Sequence, residues 1–198
     1  MSGEQDTGLR ARLVDVGVEL VATRGVQALT LREIARGAGV SHGAPRRYFP
    51  THVALLSAIA RRGFEELAAE AEAALADGAG QDADARTRLK ALCRAYLGFA
   101  EAHRGMFELM FRHDLLESNG LGLRETSLPL FDVLAGLVAE ARPASGAGAR
   151  VVAGALWANL HGIAQLWGWG SLGLATGAED VGALLDAALD AHLGPADA

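Results

Sequence analysis

The chain has 198 residues, a formal charge of −6 and a single cysteine, and 51% of its residues are hydrophobic. This length is sufficient for a buried core without a disulfide framework or a structural metal. No run approaches the ~18 apolar residues of a membrane span, and the first eight residues contain no apolar signal segment. We therefore expect a soluble, cytoplasmic protein with no membrane partner.

Charge is unevenly divided along the sequence. Residues 1–63 contain nine arginines and five acidic residues, a net charge of +4, whereas residues 64–198 have a net charge of −10. A basic segment attached to an acidic one is typical of a protein whose basic part binds a polyanion such as DNA. Chance clustering of solvated arginines would give the same count, so the charge alone does not decide between the two.

Helical periodicity predominates, and strand patterns are nearly absent. The first predicted helix begins at Leu9 and ends at Arg24, where Gly25 supplies a C-cap. Thr30 and Glu33, three residues apart, form the pattern of a capping box and predict the start of a short second helix.

A tight turn is predicted after this second helix. Gly39 stands where such a turn requires a positive φ, which glycine adopts without strain. Ser41 is predicted to cap a third helix that ends at Tyr48, and Thr51 to cap a fourth that extends to about Ala76. Two short helices joined by a glycine-containing turn are typical of a helix-turn-helix, whose second helix enters the major groove of DNA.

Four long helices are predicted after the fourth, separated by segments rich in Gly, Asp and Ser. Their approximate limits are 84–103, 123–142, 149–169 and 178–193, with a short turn of helix at 106–111. The predicted fold class is all-α, with an N-terminal helix-turn-helix head of three helices and a C-terminal antiparallel helical bundle. We expect no catalytic residues, metal site or cofactor, because no recognised spacing for any of them is present.

The segment from Leu13 to Leu56 resembles the DNA-binding head of the TetR family of transcriptional regulators. The matching pieces are Arg24-Gly25, Thr30-Leu31-Arg32-Glu33-Ile34-Ala35, Ala38-Gly39-Val40-Ser41, Tyr48-Phe49-Pro50 and Ala54-Leu55-Leu56. The resemblance implies a bacterial homodimer that binds a near-palindromic DNA operator, usually as a repressor. A small, largely apolar effector that enters the C-terminal bundle would then release the operator.

Three domains are predicted on this basis: a disordered N-terminus at 1–8, a DNA-binding domain at 9–56 and a ligand-binding and dimerisation domain at 57–198. Within the second, Arg46 replaces a tyrosine of the family pattern and His52 replaces a lysine. Arg46 and Arg47 are expected to contact phosphates and guanine edges. The predicted DNA-binding residues are polar, basic or small, and they are Thr30, Arg32, Ser41, His42, Gly43, Ala44, Arg46, Arg47, Tyr48 and His52.

Two groups in the C-terminal part are candidates for a ligand pocket. One is a cluster of methionine and phenylalanine side chains, which adapt to different ligand shapes. The other is Trp157-Ala158-Asn159-Leu160-His161-Gly162, which resembles a Trp-x-x-x-His-Gly motif in a subset of TetR-like C-terminal domains. Plain core packing is the alternative for both groups. The predicted ligand-binding residues are Phe107, Met110, Phe111, Trp157, His161 and Trp167.

The last two long helices are expected to form the dimer interface, as the resemblance implies. The apolar residues assigned to it are Ala155, Leu156, Leu160, Ile163, Leu184, Leu185, Ala188 and Leu189. Two other functions stay open: a helical small-molecule-binding module with weakened DNA recognition, and an all-α enzyme. A DNA affinity that never exceeds the non-specific range would favour the first, and turnover of a small molecule the second.

Overall fold

A computed structural model describes residues 2–77, 83–112, 114–116, 123–142 and 147–195. Within these ranges the secondary structure is helical and contains no strands, which confirms the all-α fold class. A 3-10 turn at Val26–Ala28 accompanies the α-helices. They are α1 Ser2–Arg24, α2 Leu31–Gly37, α3 Pro45–Tyr48, α4 His52–Asp77, α5 Ala85–Ala102, α6 Arg104–Met110, α7 Leu123–Ala141, α8 Ala149–Gly168, α9 Ser171–Thr176 and α10 Gly182–Leu193.

The chain divides into two compact units. Unit 1 consists of Met1–Glu66 and His103–Ser127, and unit 2 of Leu67–Ala102 and Leu128–Ala198. Helix α4 therefore contributes residues to both units, and α6 belongs with the N-terminal helices. This division differs from the predicted domains at 9–56 and 57–198, whose functional boundary stays a prediction. No helix in the described part of the chain is long and apolar enough to cross a membrane.

Helix α1 begins at Ser2, whereas the sequence predicts a disordered segment up to Gly8. Once the later turns of a helix are packed, each added residue extends it without a new nucleation cost, and residues 2–8 contain no proline to stop it. The other end of α1 agrees with the prediction. Gly25 has φ 74°, and its amide donates to the Val21 carbonyl at 3.1 Å.

The helix starts around the predicted helix-turn-helix follow local capping rules, with one exception. The Glu33 amide donates to Thr30 Oγ1 at 3.2 Å, and the Ala54 amide donates to Thr51 Oγ1 at 2.9 Å. Gly39 has φ 67° in the turn. These observations confirm the predicted caps of α2 and α4 and the predicted turn glycine.

The exception is the third helix, which the sequence predicts from Ser41 to Tyr48. Helix α3 covers only Pro45–Tyr48, and no side chain caps it, so the prediction of Ser41 as its cap is wrong. Proline has no N–H to donate to the Ser41 carbonyl. That carbonyl instead accepts from the Ala44 amide at 3.0 Å, and residues 42–44 form a turn.

Helix α6 packs closely on α1 and on the first half of α4 within unit 1. A Cβ atom at Gly105 would collide with the Val21 carbonyl oxygen of α1, and one at Gly63 of α4 would lie 2.6 Å from Met106 Cγ. Both glycines therefore permit approaches that a larger residue would prevent. The large buried side chains of unit 1 include Leu13, Ile34, Phe49, Leu55, Ile59, Leu109 and Met110.

Unit 2 is built around a core shared by α5, α7, α8 and α10. Its buried residues include Leu89, Cys93, Leu97, Val138, Ala153, Leu156, Leu160, Ile163, Leu185, Ala188 and Leu189. Six residues that the sequence assigns to the dimer interface therefore lie in this core, and that assignment is wrong for them. Helical spacing identified the apolar positions of α8 and α10 but not which apolar face is buried.

Polar contacts hold α10 against α5. Arg86 Nη1 donates to the Gly194 carbonyl at 2.7 Å, and Arg86 also pairs with Asp190. Lys90 pairs with Asp186 one turn earlier on α10.

Helix α9 is absent from the predicted elements, because the glycine-rich sequence at 170–177 indicates a break. Gly170 and Gly177, with φ 77° and 68°, in fact bound this short helix.

Candidate functional site

Residues 41–49, between α2 and α4, form what we call the recognition segment. Its polar side chains are mostly exposed, and two of its apolar side chains are buried. Ser41, His42, Gly43, Arg46 and Arg47 are exposed. Within the same segment Pro45 is buried and Phe49 is only 1% exposed. The small residues at its start leave the backbone open to a close approach, and the basic residues at its end offer donors.

The arginines of unit 1 differ in how far acidic neighbours neutralise them. Arg24 Nη1 lies 2.7 Å from Glu33 Oε2, and Arg36 pairs with the same oxygen. The hydrogen bond from Arg24 holds the pKa of Glu33 below its usual value, with smaller contributions from nearby arginine charges. Within the described ranges, Arg46 and Arg47 form no ion pair with a carboxylate, so their charges face solvent.

The remaining predicted DNA-binding residues also lie at the surface of unit 1. Thr30, Arg32 and His52 are exposed, whereas Ala44 and Tyr48 are half-buried. Thr30 Oγ1 is engaged as the cap of α2. His52 Nε2 lies 2.5 Å from the Leu29 carbonyl oxygen, and because a carbonyl only accepts, this nitrogen is the donor.

Sequence reasoning did not single out Arg10, which belongs to this region. Its guanidinium lies over the Phe49 ring, 5.0 Å from the centroid, so that α1 packs against the residue that ends α3. A cation over a buried aromatic ring stabilises such a junction. Nothing in the spacing of α1 indicated this contact, since Arg10 and Phe49 are far apart in the sequence.

Unit 2 contains a hydrogen-bonded aromatic cluster, formed by Tyr96, Phe131, Trp157 and His161. The Trp157 indole N–H donates to Tyr96 Oη at 3.2 Å, and Tyr96 Oη lies 2.9 Å from His161 Nδ1. We assign the Tyr96 proton to the bond with His161, which places the histidine hydrogen on Nε2. The Phe131 ring stands edge-on to Trp157, with centroids 6.2 Å apart.

Burial sets the protonation of this aromatic cluster. It raises the pKa of Tyr96 despite the opposing hydrogen bond from Trp157. It also lowers the pKa of His161, so both side chains favour the neutral form at neutral pH. Burial likewise raises the pKa of Cys93 to about 12, which makes this thiol a hydrophobic core residue rather than a nucleophile.

The predicted ligand-binding residues are distributed over both units. Phe107, Met110 and Phe111 belong to unit 1, where the Phe111 ring lies 5.7 Å from Phe64 and 5.0 Å from Phe107. Trp157, His161 and the half-buried Trp167 belong to unit 2. The i, i+4 spacing correctly placed Trp157 and His161 together. Sequence reasoning missed Tyr96 and Phe131 as their partners, although Tyr96 stands in the apolar stripe of α5.

A second face of α8 is apolar and exposed. Its members recur at intervals of three or four residues, which aligns them along one side of the helix. They are Val151, Ala155, Ala158, Gly162, Leu166 and Trp169. All are exposed except the half-buried Gly162, and exposure reaches 68% at Val151 and 72% at Trp169. We call this set the α8 stripe.

Two known protein families match separate parts of the sequence. Residues 13–59 match the bacterial regulatory proteins of the tetR family. Residues 89–192 match the tetracyclin repressor-like C-terminal domain. None of the curated proteins matches the sequence.

Solved structures with the same fold cover nearly the whole chain. A protein of unknown function from Rhodococcus sp. RHA1 is 33% identical, with a TM-score of 0.76 and 93% coverage of each chain. A bacterial regulatory protein in the tetR family from Rhodococcus RHA1 is 20% identical, with a TM-score of 0.69 and coverage of 96% and 98%. FadR from Bacillus subtilis, in complex with stearoyl-CoA, is 17% identical, with a TM-score of 0.64 and coverage of 94% and 99%.

Proposed function

The chain belongs to the TetR family of bacterial regulatory proteins, and we propose that it is a ligand-responsive repressor that binds a near-palindromic operator as a homodimer. Its family makes it a DNA-binding transcriptional regulator and not an enzyme. The proposal concerns what the family does not fix: the DNA-contacting residues, the dimer surface and the chemistry of the effector.

The observation that carries the proposal is the exposed recognition segment with its two unpaired arginines. Arg46 and Arg47 lie at the end of a segment whose buried Pro45 and Phe49 hold the backbone in place. Neither arginine is neutralised by a carboxylate in the described structure. Their guanidinium groups can donate to phosphate oxygens or to guanine O6 and N7. Ser41, His42 and Gly43 would approach the DNA at the other end of the segment.

We propose the α8 stripe as the centre of the dimer interface. A single chain does not bury these apolar side chains, since Val151 and Trp169 remain about two-thirds exposed. Small residues at Ala155, Ala158 and Gly162 would let a second helix come close between the bulky ends. A two-fold dimer would place two recognition segments on successive major grooves, about 34–36 Å apart.

The aromatic cluster of unit 2 is the proposed site for part of a small, largely apolar effector. Its side chains offer ring surfaces and a few oriented hydrogen bonds, as ligand sites commonly do. Trp157 is 37% exposed, so one part of the cluster is accessible. The same fold holds stearoyl-CoA in FadR of Bacillus subtilis, which supports an apolar effector here. That Trp167 of the same unit contributes is part of the proposal, and Phe107, Met110 and Phe111 of unit 1 stay a separate prediction of ligand contact.

We infer that the dimer has two shapes, which differ in the distance between its two recognition segments, and that effector binding changes their populations. A ligand that binds more tightly when the recognition segments stand at an unsuitable distance shifts the population toward that shape. The operator affinity then falls by the ratio of the ligand affinities for the two shapes.

Selection from a random duplex pool at physiological salt, followed by sequencing, tests the proposal. The expected result is an enriched inverted repeat with half-sites about one helical turn apart. Enrichment of a single half-site would contradict the dimer. If the folded protein enriches no sequence, it is a ligand-binding module without sequence recognition, and the proposed function fails.

A further inference from the structure

His52, one of the predicted DNA-binding residues, has a ring N–H that is already engaged within the protein. Its Nε2 donates to the Leu29 carbonyl oxygen at 2.5 Å, across 23 residues of sequence. Leu29 is 3% exposed. A buried backbone carbonyl of this kind needs a hydrogen-bond partner, because water cannot easily supply one.

The two bonded residues mark the two ends of the helix-turn-helix. Leu29 directly precedes Thr30, the cap of α2, and the first helical bond of α2 runs from the Ile34 amide to the Thr30 carbonyl. The Leu29 carbonyl therefore lies outside that ladder. His52 is the first residue of α4 and directly follows Thr51, which caps α4. One side chain thus closes a loop, residues 29–52, that contains α2, the turn and α3.

Apolar packing fixes most of this loop but has little directional preference. Ile34 and Phe49 bury their side chains on either side of the turn. A hydrogen bond depends steeply on distance and angle, so the bond from His52 adds a fixed orientation between α4 and the start of α2. The Arg24–Glu33–Arg36 ion pairs join α2 to the end of α1 and involve no residue of α4.

We propose that His52 is a positioning residue rather than a phosphate contact: it joins the two ends of the helix-turn-helix and holds the recognition segment in the arrangement that DNA requires. The proposal rests on the DNA binding proposed above. In this role His52 affects operator affinity by holding the recognition segment in place before DNA binds. A phosphate contact would act through the release of counterions instead.

The two roles predict different salt dependences. Affinity for the selected operator is measured over a range of salt concentrations for the wild-type protein, His52→Ala, His52→Gln and Arg47→Ala. His52→Ala should weaken binding roughly tenfold, the effect of one lost hydrogen bond that orients the site, with an unchanged slope of log affinity against log salt. His52→Gln, which keeps a donor at a similar reach, should restore most of the affinity. Arg47→Ala should reduce the slope by about 0.9, the value for one phosphate.

Amide hydrogen exchange of the free protein tests the same bond without DNA. His52→Ala should speed exchange in residues 30–48, and His52→Gln should not. A reduced salt slope in His52→Ala, or unchanged exchange in this segment, would overturn the positioning role. If the wild-type protein selects no operator while the exchange result holds, the positioning role survives and the proposed function fails.

Discussion

The two units differ in the chemistry of one exposed surface each: the recognition segment of unit 1 and the α8 stripe of unit 2. In unit 1 the recognition segment presents Arg46 and Arg47 without acidic partners among the described residues. In unit 2, Arg86, Lys90 and Arg88 each pair with a carboxylate of α10 or α7. Unit 2 also exposes charged residues such as Arg94, but the side chains exposed along its α8 stripe are apolar. The recognition segment is therefore suited to a polyanion, and the α8 stripe to an apolar partner.

The largest expected effect is on dimer affinity, when a charge is placed in the α8 stripe. Trp169→Asp should weaken the dimer about a hundredfold, because a large aromatic side chain at one end of the α8 stripe is replaced by a carboxylate that must be desolvated. Analytical ultracentrifugation over a concentration series measures this. Leu128→Asp is the matched control, since it changes an exposed leucine of α7 outside the stripe. Equal weakening by both variants, or by neither, would contradict the proposed interface.

The close packing of α6 within unit 1 predicts the next largest effect. Gly105→Ala forces a Cβ atom against the Val21 carbonyl oxygen, a backbone atom that cannot rotate away. We expect the free energy of unfolding to fall by about 2 kcal/mol, as for other overpacked sites. Gly98→Ala of α5, where a Cβ would meet nothing within 4 Å, should be neutral or slightly stabilising. Urea denaturation of both variants checks this, and a neutral Gly105→Ala would refute the close approach.

Removal of the Tyr96 hydroxyl tests the hydrogen bonds of the aromatic cluster in unit 2. Tyr96→Phe keeps the ring but leaves the Trp157 N–H and His161 Nδ1 without their shared partner. The expected loss of stability is about 1 kcal/mol. Trp157 fluorescence should change as well, since its indole N–H loses the bond to Tyr96 Oη. Unaltered stability and emission would show that the hydrogen bonds of the aromatic cluster do not form in solution.

The smallest expected effect is a pH dependence that arises from His161. Because burial lowers the pKa of His161 in the folded protein, the unfolded chain binds this proton more readily. Stability should therefore be lost as pH falls from about 6.5, the ordinary histidine value, toward the lowered folded pKa. His161→Asn, which offers an acceptor near the Nδ1 position, should show a flatter stability curve in this window. Identical curves for the two proteins would contradict the role of His161.

Local rules predicted the parts of the fold that depend on neighbouring residues. Thr30, Thr51, Gly25 and Gly39 act where capping and turn chemistry place them. The predicted third helix is too long, because Pro45 has no N–H to donate and the helix begins only at Pro45 itself.

The errors in unit 2 arise from choices that only tertiary packing makes. Helix α8 has two apolar faces, and its spacing alone could not tell that Leu156 and Leu160 are buried while the α8 stripe is exposed. The bond from Tyr96 to His161 spans 65 residues, so no local pattern indicates it. No local pattern indicates the bond from His52 to Leu29 either, because these residues are 23 positions apart in the sequence.

The central claim, that DNA binds to unit 1 through unpaired arginines, is tested most directly by comparing one exposed arginine from each unit. Operator affinity is measured against salt concentration for Arg47→Ala of unit 1 and Arg94→Ala of unit 2. Arg47→Ala should lower the slope of log affinity against log salt by about 0.9, and Arg94→Ala should leave it unchanged. Equal slopes for both variants and the wild-type protein would contradict the claim.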